Sequence, residues 1–229
     1  LESIRQVPNT VSHFYALVIY SFTLQELGFL DKSFKTMEEA LALIQAFPVP
    51  TYQTLLLPWM CVNRGLAGDW ETATQYAIYT RPLRASADAI LLMMGFTSPY
   101  ETEALLRGGY VEWAHEEVEQ LGRRMGINRR FHICYLRSRA LLAQYDGKPE
   151  QAIVFLHEAA SLAEEIGVPR ECWQILIQMG KLYKDLHQPQ QATAAFAQAR
   201  TIVQTLADRI QDETLRQRFL EAHQTILPL

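Results

Sequence analysis

The chain has 229 residues, of which 49% are apolar, and a formal net charge of -4. A chain of this size can bury a substantial core, and its charge excludes a broad electrostatic field for nucleic acid. Cys61, Cys134 and Cys172 lie far apart, which excludes a CxxC motif and favours three buried thiols in a reducing compartment. Without a membrane-length apolar run or a signal segment, a cytoplasmic location is expected. Because the chain begins at Leu1 rather than Met, we expect a piece of a longer polypeptide.

Five turn-like positions recur along the chain at nearly constant spacing. Gly28, Gly68, Gly109, Gly147 and His187 are separated by 40, 41, 38 and 40 residues. The residue seven positions before each marker is small, and so is the residue five positions after it. Small side chains in matched columns let two helices approach closely, and glycine accepts the left-handed backbone that ends a helix. The pattern therefore predicts five copies of a helix, a turn and a helix. The small residues are Ser21, Cys61, Thr102, Ala140 and Gly180 before the markers and Ser33, Ala73, Ala114, Ala152 and Ala192 after them.

The predicted helices follow one another from residue 12 to residue 226, within a single domain that spans residues 1–229. Pro58 and Pro99 fall inside the expected first helices of the second and third copies, so these helices are bent or begin late. The segment Thr97-Ser98-Pro99 equally fits a fresh N-cap. In the fourth and fifth copies, Pro149 and Pro189 suit the first turn of the second helix. The five copies cover residues 12–46, 51–88, 89–127, 129–166 and 169–209, and a capping helix covers 212–226.

The final segment does not begin another pair. Asp212 is a candidate N-cap for a last helix with one apolar face, and such a helix closes the exposed end of a repeat array. The apolar face consists of Leu215, Phe219, Ala222 and Ile226, and Glu213, Arg216, Gln217 and Glu221 are expected to face water.

The order of small and large residues in each copy resembles the tetratricopeptide repeat (TPR). Gly180, Tyr183, Ala192, Phe196 and Ala199 match the family most closely. The resemblance covers about residues 12 to 209 and is strongest after residue 129, although the period near 40 exceeds the usual length of about 34. It implies an all-α, right-handed α-solenoid. The end of the chain is similar to the C-terminal TPR region of large bacterial signalling ATPases, cyclases and transcriptional regulators, which implies a sensor or scaffold segment.

The second and third copies depart from the family pattern. In the second copy, Arg64 stands where the family has a large apolar residue. Family members that grip C-terminal carboxylates use Lys, Asn and Arg on successive first helices. Here Val62, Leu141 and Lys181 occupy the places where the asparagines are expected, so that mode of binding is not supported.

Little in the sequence indicates catalysis. His115 and Glu119 share a helix face, which resembles part of a zinc-binding HExxH helix, but a third ligand is not identifiable and a solvated acidic face is favoured. Glu119 also stands four residues before Arg123, the favourable order for an ion pair on a helix. No nucleophile elbow, P-loop or dinucleotide fingerprint occurs. We therefore expect a chain that is not an enzyme and has no metal or cofactor.

Six arginines lie within 17 residues of this acidic chain. Such a cluster fits an anionic partner, since arginine binds carboxylate or phosphate through two parallel hydrogen bonds. We favour the alternative that it keeps the surface hydrated and pairs with Glu116 and Glu119, because charged surface clusters commonly have no specific partner. The six are Arg123, Arg124, Arg129, Arg130, Arg137 and Arg139.

Stacked helix pairs form a curved array whose hollow side is lined by the first helix of each pair. The small-residue columns predict which side chains point into that hollow, and their mixture of cations with an aromatic ring suits an extended peptide. Simple hydration of the hollow is the alternative. The predicted groove residues are Arg107, Arg137, Leu141, Gln144, Tyr145, Ile177, Lys181 and Lys184.

The repeat and the lack of catalytic motifs favour a non-catalytic interaction module. Its partner would be a protein, a peptide or another domain of the parent chain, and self-association is a further expectation. The alternative is a small-molecule sensor with an apolar pocket at the irregular second and third copies, suggested by Pro58, Pro99 and the run "AILLMMGF" at 89–96. RNA binding by helical repeats is disfavoured by the acidic balance and the period.

Overall fold

The structure, a computed structural model of the chain, describes residues 2–45, 50–84 and 91–224. These residues form eleven α-helices and no strand, which confirms the all-α prediction. None of the described helices combines the length and the apolar character that crossing a membrane requires. The helices are α1 (Glu2–Glu26), α2 (Leu30–Gln45), α3 (Pro50–Leu66), α4 (Trp70–Arg84), α5 (Leu91–Arg107), α6 (Val111–Arg124), α7 (Arg129–Tyr145), α8 (Pro149–Ile166), α9 (Pro169–Asp185), α10 (Pro189–Ala207) and α11 (Glu213–Gln224).

The chain divides into two compact units, Leu1–Gly109 and Tyr110–Leu229. In the first, α1 pairs with α2 and α3 pairs with α4, while α5 packs on α3 and α4. In the second, α7 pairs with α8 and α9 with α10, α8 packs on α9, α6 lies against α7, and α11 lies against α10. The division falls inside the predicted third repeat, 89–127, so the number and bounds of the repeats stay a prediction.

The turns between paired helices have the backbone that the markers predicted. Gly28, Gly68, Gly109 and Gly147 all have φ between 71° and 81°, in the left-handed region. His187 adopts the same region, with φ at 56°, and it is the only non-glycine residue of the described chain that does so. Left-handed backbone costs an ordinary residue free energy because its Cβ approaches the following carbonyl oxygen. The last turn therefore carries strain that the four glycine turns avoid.

Replacing His187 with glycine is expected to raise the free energy of unfolding by up to about 1 kcal/mol, because glycine relieves that contact. Urea denaturation measures the change. The matched reverse substitution, Gly147→Ala, meets no atom within 4 Å of its new Cβ and tests strain alone, so it should lower the free energy of unfolding. Equal stability of all three chains would contradict the account.

Both small-residue columns are buried, as predicted. Ser21, Ser33 and Cys61 have no exposed surface, and the hydroxyl of Ser33 donates to the carbonyl oxygen of Ser21 at 2.8 Å. A Cβ added at Gly180 would lie 2.5 Å from Cε1 of Phe196, well inside contact distance. The small residues thus set the close approach of α1 to α2 and of α9 to α10.

The two prolines predicted to bend or delay first helices, Pro58 and Pro99, do not break them. Pro58 lies within α3 and Pro99 within α5, and both helices are continuous across them. The interpretation of Thr97-Ser98-Pro99 as a fresh N-cap is therefore wrong. The hydroxyl of Thr97 instead donates to Oε2 of Glu101 at 2.7 Å, one helical turn further on. The apolar run at 89–96 lies largely outside the described side chains.

Arg64, which stands where the repeat family has a large apolar residue, stacks on an aromatic ring. Its guanidinium lies 3.8 Å from the ring centroid of Phe34, and its nitrogens donate to Oδ1 of Asn63. The side chain is 13% exposed and pairs with Asp31 at 3.9 Å. A planar cation on a ring face is favourable, so the position accepts arginine without opening a gap.

The last helix is capped as predicted, and its predicted apolar face is buried at Phe219 but not at Leu215. Oδ1 of Asp212 accepts from the backbone N–H of Leu215 at 2.9 Å. Leu215 itself is 36% exposed, whereas Phe219 and His223 are buried, 8% and 7% exposed. The ring of His223 meets Trp173 of α9 edge to face, 5.0 Å between centroids. The prediction was wrong at Leu215 because the face of α11 that packs against Trp173 carries His223 instead. Ile226 lies outside the described residues.

Burial lowers the pKa of His223, and Arg170 lowers it further, while the hydrogen bond to the carbonyl oxygen of Phe219 opposes the shift. The folded chain therefore holds this proton less tightly than the unfolded chain does. We expect the free energy of unfolding to fall as the pH drops below the ordinary histidine value of 6.5.

Urea denaturation at pH about 7.5 and about 5.5 brackets the range in which this linkage acts. His223→Phe keeps an aromatic ring in the contact but cannot be protonated, so it should lose less stability between the two values than the unaltered chain does. The same loss in both chains would contradict the role of His223.

All three cysteines are free and buried, which confirms their interpretation as core residues. Burial raises the pKa of Cys134 and of Cys172 to about 11. A thiolate is the reactive form of cysteine, so neither side chain is suited to nucleophilic chemistry at neutral pH.

Candidate functional site

Seven of the eight predicted groove residues lie in the second unit. Four belong to α7 and three to α9, the first helices of consecutive pairs; these are Arg137, Leu141, Gln144, Tyr145, Ile177, Lys181 and Lys184. The eighth, Arg107, ends α5 in the first unit. Its guanidinium pairs with Glu103 at 2.8 Å and lies 4.5 Å from the ring centroid of Trp70. Arg107 thus makes local contacts within its own unit.

Long side chains bridge α7 and α9. Nη1 of Arg137 donates to Oε1 of Gln174 at 2.9 Å, and Nε donates to Oε1 of Gln178 at 3.4 Å. Seven residues earlier on α7, Arg130 donates to Oε1 of Glu171 at 2.6 Å. Residue numbers rise together on both helices in these contacts. The two helices therefore run parallel, and each residue of α7 lies level with one about a repeat period later on α9.

Burial divides the predicted groove residues into two groups. Arg137 is only 7% exposed and Ile177 only 5%, so both are largely covered. Tyr145 is 54% exposed, and Gln144, Lys181 and Lys184 are exposed as well. Leu141 is half-buried between the two groups. The accessible part of the predicted groove is therefore its end toward the C-termini of α7 and α9.

Tyr145 and Lys181 lie on the helix faces that carry the bridges. Tyr145 is two turns after Arg137, and Lys181 is one turn after Gln178, so each continues the bridged face of its own helix. Among the described residues, neither Lys181 nor Lys184 forms an ion pair. Asp185 adds a carboxylate at the end of the same face of α9. Hereafter, the α7–α9 surface means Gln144, Tyr145, Lys181 and Lys184, with Arg137 and Leu141 beneath them.

Most of the basic run is engaged within the chain. Arg123 pairs with Glu119, as the spacing predicted, and Arg129 pairs with Glu165. The guanidinium of Arg139 lies 4.1 Å from the ring centroid of Phe155. For Arg123, Arg129 and Arg139, these contacts favour a hydrated, internally paired surface.

His115, from the partial HExxH motif, contacts an aspartate outside that motif. Nε2 of His115 lies 3.4 Å from Oδ1 of Asp146, in the turn that follows α7. No three histidine, cysteine or acidic side chains of the described residues are grouped so as to hold a metal ion. His115 is therefore better described as a partner of that turn.

Sequence reasoning missed the partners of the bridges on α9: Glu171, Gln174 and Gln178. Glu171 follows Arg130 by 41 residues, and Gln178 follows Arg137 by the same distance. That separation is one repeat period. These partners could have been found by comparing polar residues one period apart, in the way that the small residues were compared.

Comparison with known proteins supports the fold. No protein-family model matches the sequence, and no curated protein does either. The chain is similar in structure to PlcR of Bacillus thuringiensis, whose structure was determined in complex with the peptide PapR7 and DNA. The TM-score is 0.67 at 12% sequence identity, over 96% of this chain and 75% of that one.

Two further solved structures are similar to this chain. TTC0263, a TPR protein of Thermus thermophilus, gives a TM-score of 0.59 at 20% identity, over 92% of this chain and 99% of that one. BtubC from P. vanneervenii gives a TM-score of 0.54 at 15% identity, over 86% and 82% of the two chains. At these identities the likeness shows the fold alone. That fold is an all-α, TPR-like solenoid, as the repeat predicted.

Proposed function

We propose that this chain is a non-catalytic module that binds a protein or peptide segment, and that the α7–α9 surface holds the partner. One observation carries the proposal: Lys181 and Lys184 are exposed without an ion pair among the described residues, and the exposed Tyr145 lies at the corresponding end of the parallel helix α7. Side chains on parallel neighbouring helices present contacts at intervals that an extended peptide can follow. Tyrosine adds a rigid contact area at small entropic cost.

The fold likeness supports the proposal in general terms. A chain of this fold, PlcR, was determined with a bound peptide. The α7–α9 surface offers cations, a ring and a carboxamide, which suit a peptide that carries carboxylates. We propose that the module is the sensor or regulatory part of a bacterial signalling protein and that its partner is another chain or another domain of its own parent.

A random peptide library displayed on phage and selected on the immobilised chain tests the proposal. We expect acidic peptides to be enriched and their affinity to fall about tenfold or more in the variant Lys181→Glu/Lys184→Glu, since two attractive charges become repulsive ones. Isothermal titration with a synthetic copy of an enriched peptide measures the change.

The chain offers a matched control on α2. Lys32 and Lys35 are also exposed and three residues apart, so Lys32→Glu/Lys35→Glu makes the same change of charge in the first unit. This control is expected to keep its affinity. The proposal fails if no peptide is enriched, or if both double variants bind equally well.

A further inference from the structure

Arg137 carries a buried charge that the chain does not neutralise. It is 7% exposed, and its hydrogen bonds go to the neutral carboxamides of Gln174 and Gln178. No carboxylate of the described residues pairs with it, although Arg130, seven residues earlier on the same helix, has Glu171. A buried guanidinium loses much of its hydration, and a neutral amide restores less of that loss than an anion does.

The hydrogen-bonding groups that remain unused in the Arg137 cluster are donors. Both carboxamide oxygens are already occupied as acceptors by the guanidinium. Nη2 of Arg137 forms no hydrogen bond with any described residue, and the carboxamides keep their N–H donors. The cluster therefore presents a cation and donors. This chemistry suits an anion with several acceptor oxygens.

We infer that Arg137, with Gln174 and Gln178, forms the floor of an acidic-side-chain subsite on the α7–α9 surface, in which an aspartate or glutamate of the bound peptide pairs with the guanidinium. The inference rests on the proposed function, because the anion belongs to the peptide. Lys181 lies one turn beyond Gln178 on α9, so the floor and this exposed cation follow one face of that helix.

The two carboxamides also position the guanidinium. Because Nε and Nη1 are both tethered to α9, the cation is fixed before the ligand arrives and loses little freedom on binding. Arginine and lysine are not equivalent in such a site, since lysine offers a point charge without the planar fork. Arg137→Lys should therefore retain only part of the preference for acidic peptides.

The test combines a change in the peptide with a change in the chain. For a peptide selected on the full chain, replacing its acidic residues singly by the matching amides should identify one position where affinity falls about tenfold, as expected for loss of a charge-assisted hydrogen bond. In the variant Arg137→Gln, the same peptide change should lower the affinity by less than about twofold if the peptide carboxylate and the guanidinium are coupled. Arg139→Gln, two residues away and stacked on Phe155, is the control and should keep the full tenfold discrimination.

Several results would overturn the inference. If selected peptides bind and depend on Lys181 and Lys184, but acid and amide forms bind the unaltered chain equally, the subsite is wrong while the proposed function stands. This comparison needs no variant, so it decides the matter even if Arg137→Gln lowers stability. Equal discrimination in Arg137→Gln and the unaltered chain also overturns it. If no peptide is enriched, the proposed function fails and the subsite fails with it.

Discussion

Replacing Phe196 with alanine is expected to lower the free energy of unfolding by about 3–5 kcal/mol, the usual cost of removing a buried aromatic ring. Phe196 of α10 is 8% exposed, and its ring lies where a side chain at Gly180 of α9 would stand. Gly180→Val should cost about 1–3 kcal/mol by forcing the two helices apart. Urea denaturation followed by circular dichroism measures both changes.

The two substitutions are expected to compensate each other. In Gly180→Val/Phe196→Ala the valine enters space that the ring has left, so the double variant should be more stable than the sum of the single costs by about 1 kcal/mol or more. Ala194→Val, at an exposed position of α10, controls for the effect of a β-branched residue on the helix. Strict additivity would show that this small-residue column does not set the helix spacing.

The second large effect is expected at the bridge between Arg130 and Glu171. The Glu171 side chain is 5% exposed, so Arg130→Ala leaves a buried carboxylate without its guanidinium and should cost about 1–3 kcal/mol. Arg123→Ala removes an arginine whose partner, Glu119, is 65% exposed, and surface pairs contribute only about 0–1 kcal/mol. Chemical denaturation of the two variants under identical conditions measures the contrast, and equal costs would contradict it.

Most of the fold could be predicted because its determinants are local or periodic. A glycine that adopts positive φ is visible at four of the five marker turns, and a small residue that must admit a neighbouring helix recurs one period later. Gly147 and Ala152, for example, indicate these requirements from the sequence alone. The same reasoning failed at Thr97-Ser98-Pro99, because the local pattern of an N-cap also fits a proline inside a continuous helix.

The site was less predictable because burial of a polar side chain depends on its partners. Arg137 has the helical register of a groove residue, yet its side chain is buried between α7 and α9, where Gln174 and Gln178 accept its hydrogen bonds. Likewise, His223 reads as a polar residue beside an apolar face but packs on Trp173. Periodicity gives the direction of a side chain; its exposure depends on which residues of the next helix can receive it.

Photo-crosslinking from Tyr145 tests the central claim most directly, because it reports where a bound peptide lies. A benzophenone amino acid is placed at position 145 and, as a control, at Tyr79 of the first unit, which is 61% exposed. A selected peptide is expected to crosslink from position 145 and not from position 79. Crosslinking from position 79 alone would contradict the assignment of the α7–α9 surface as the binding site.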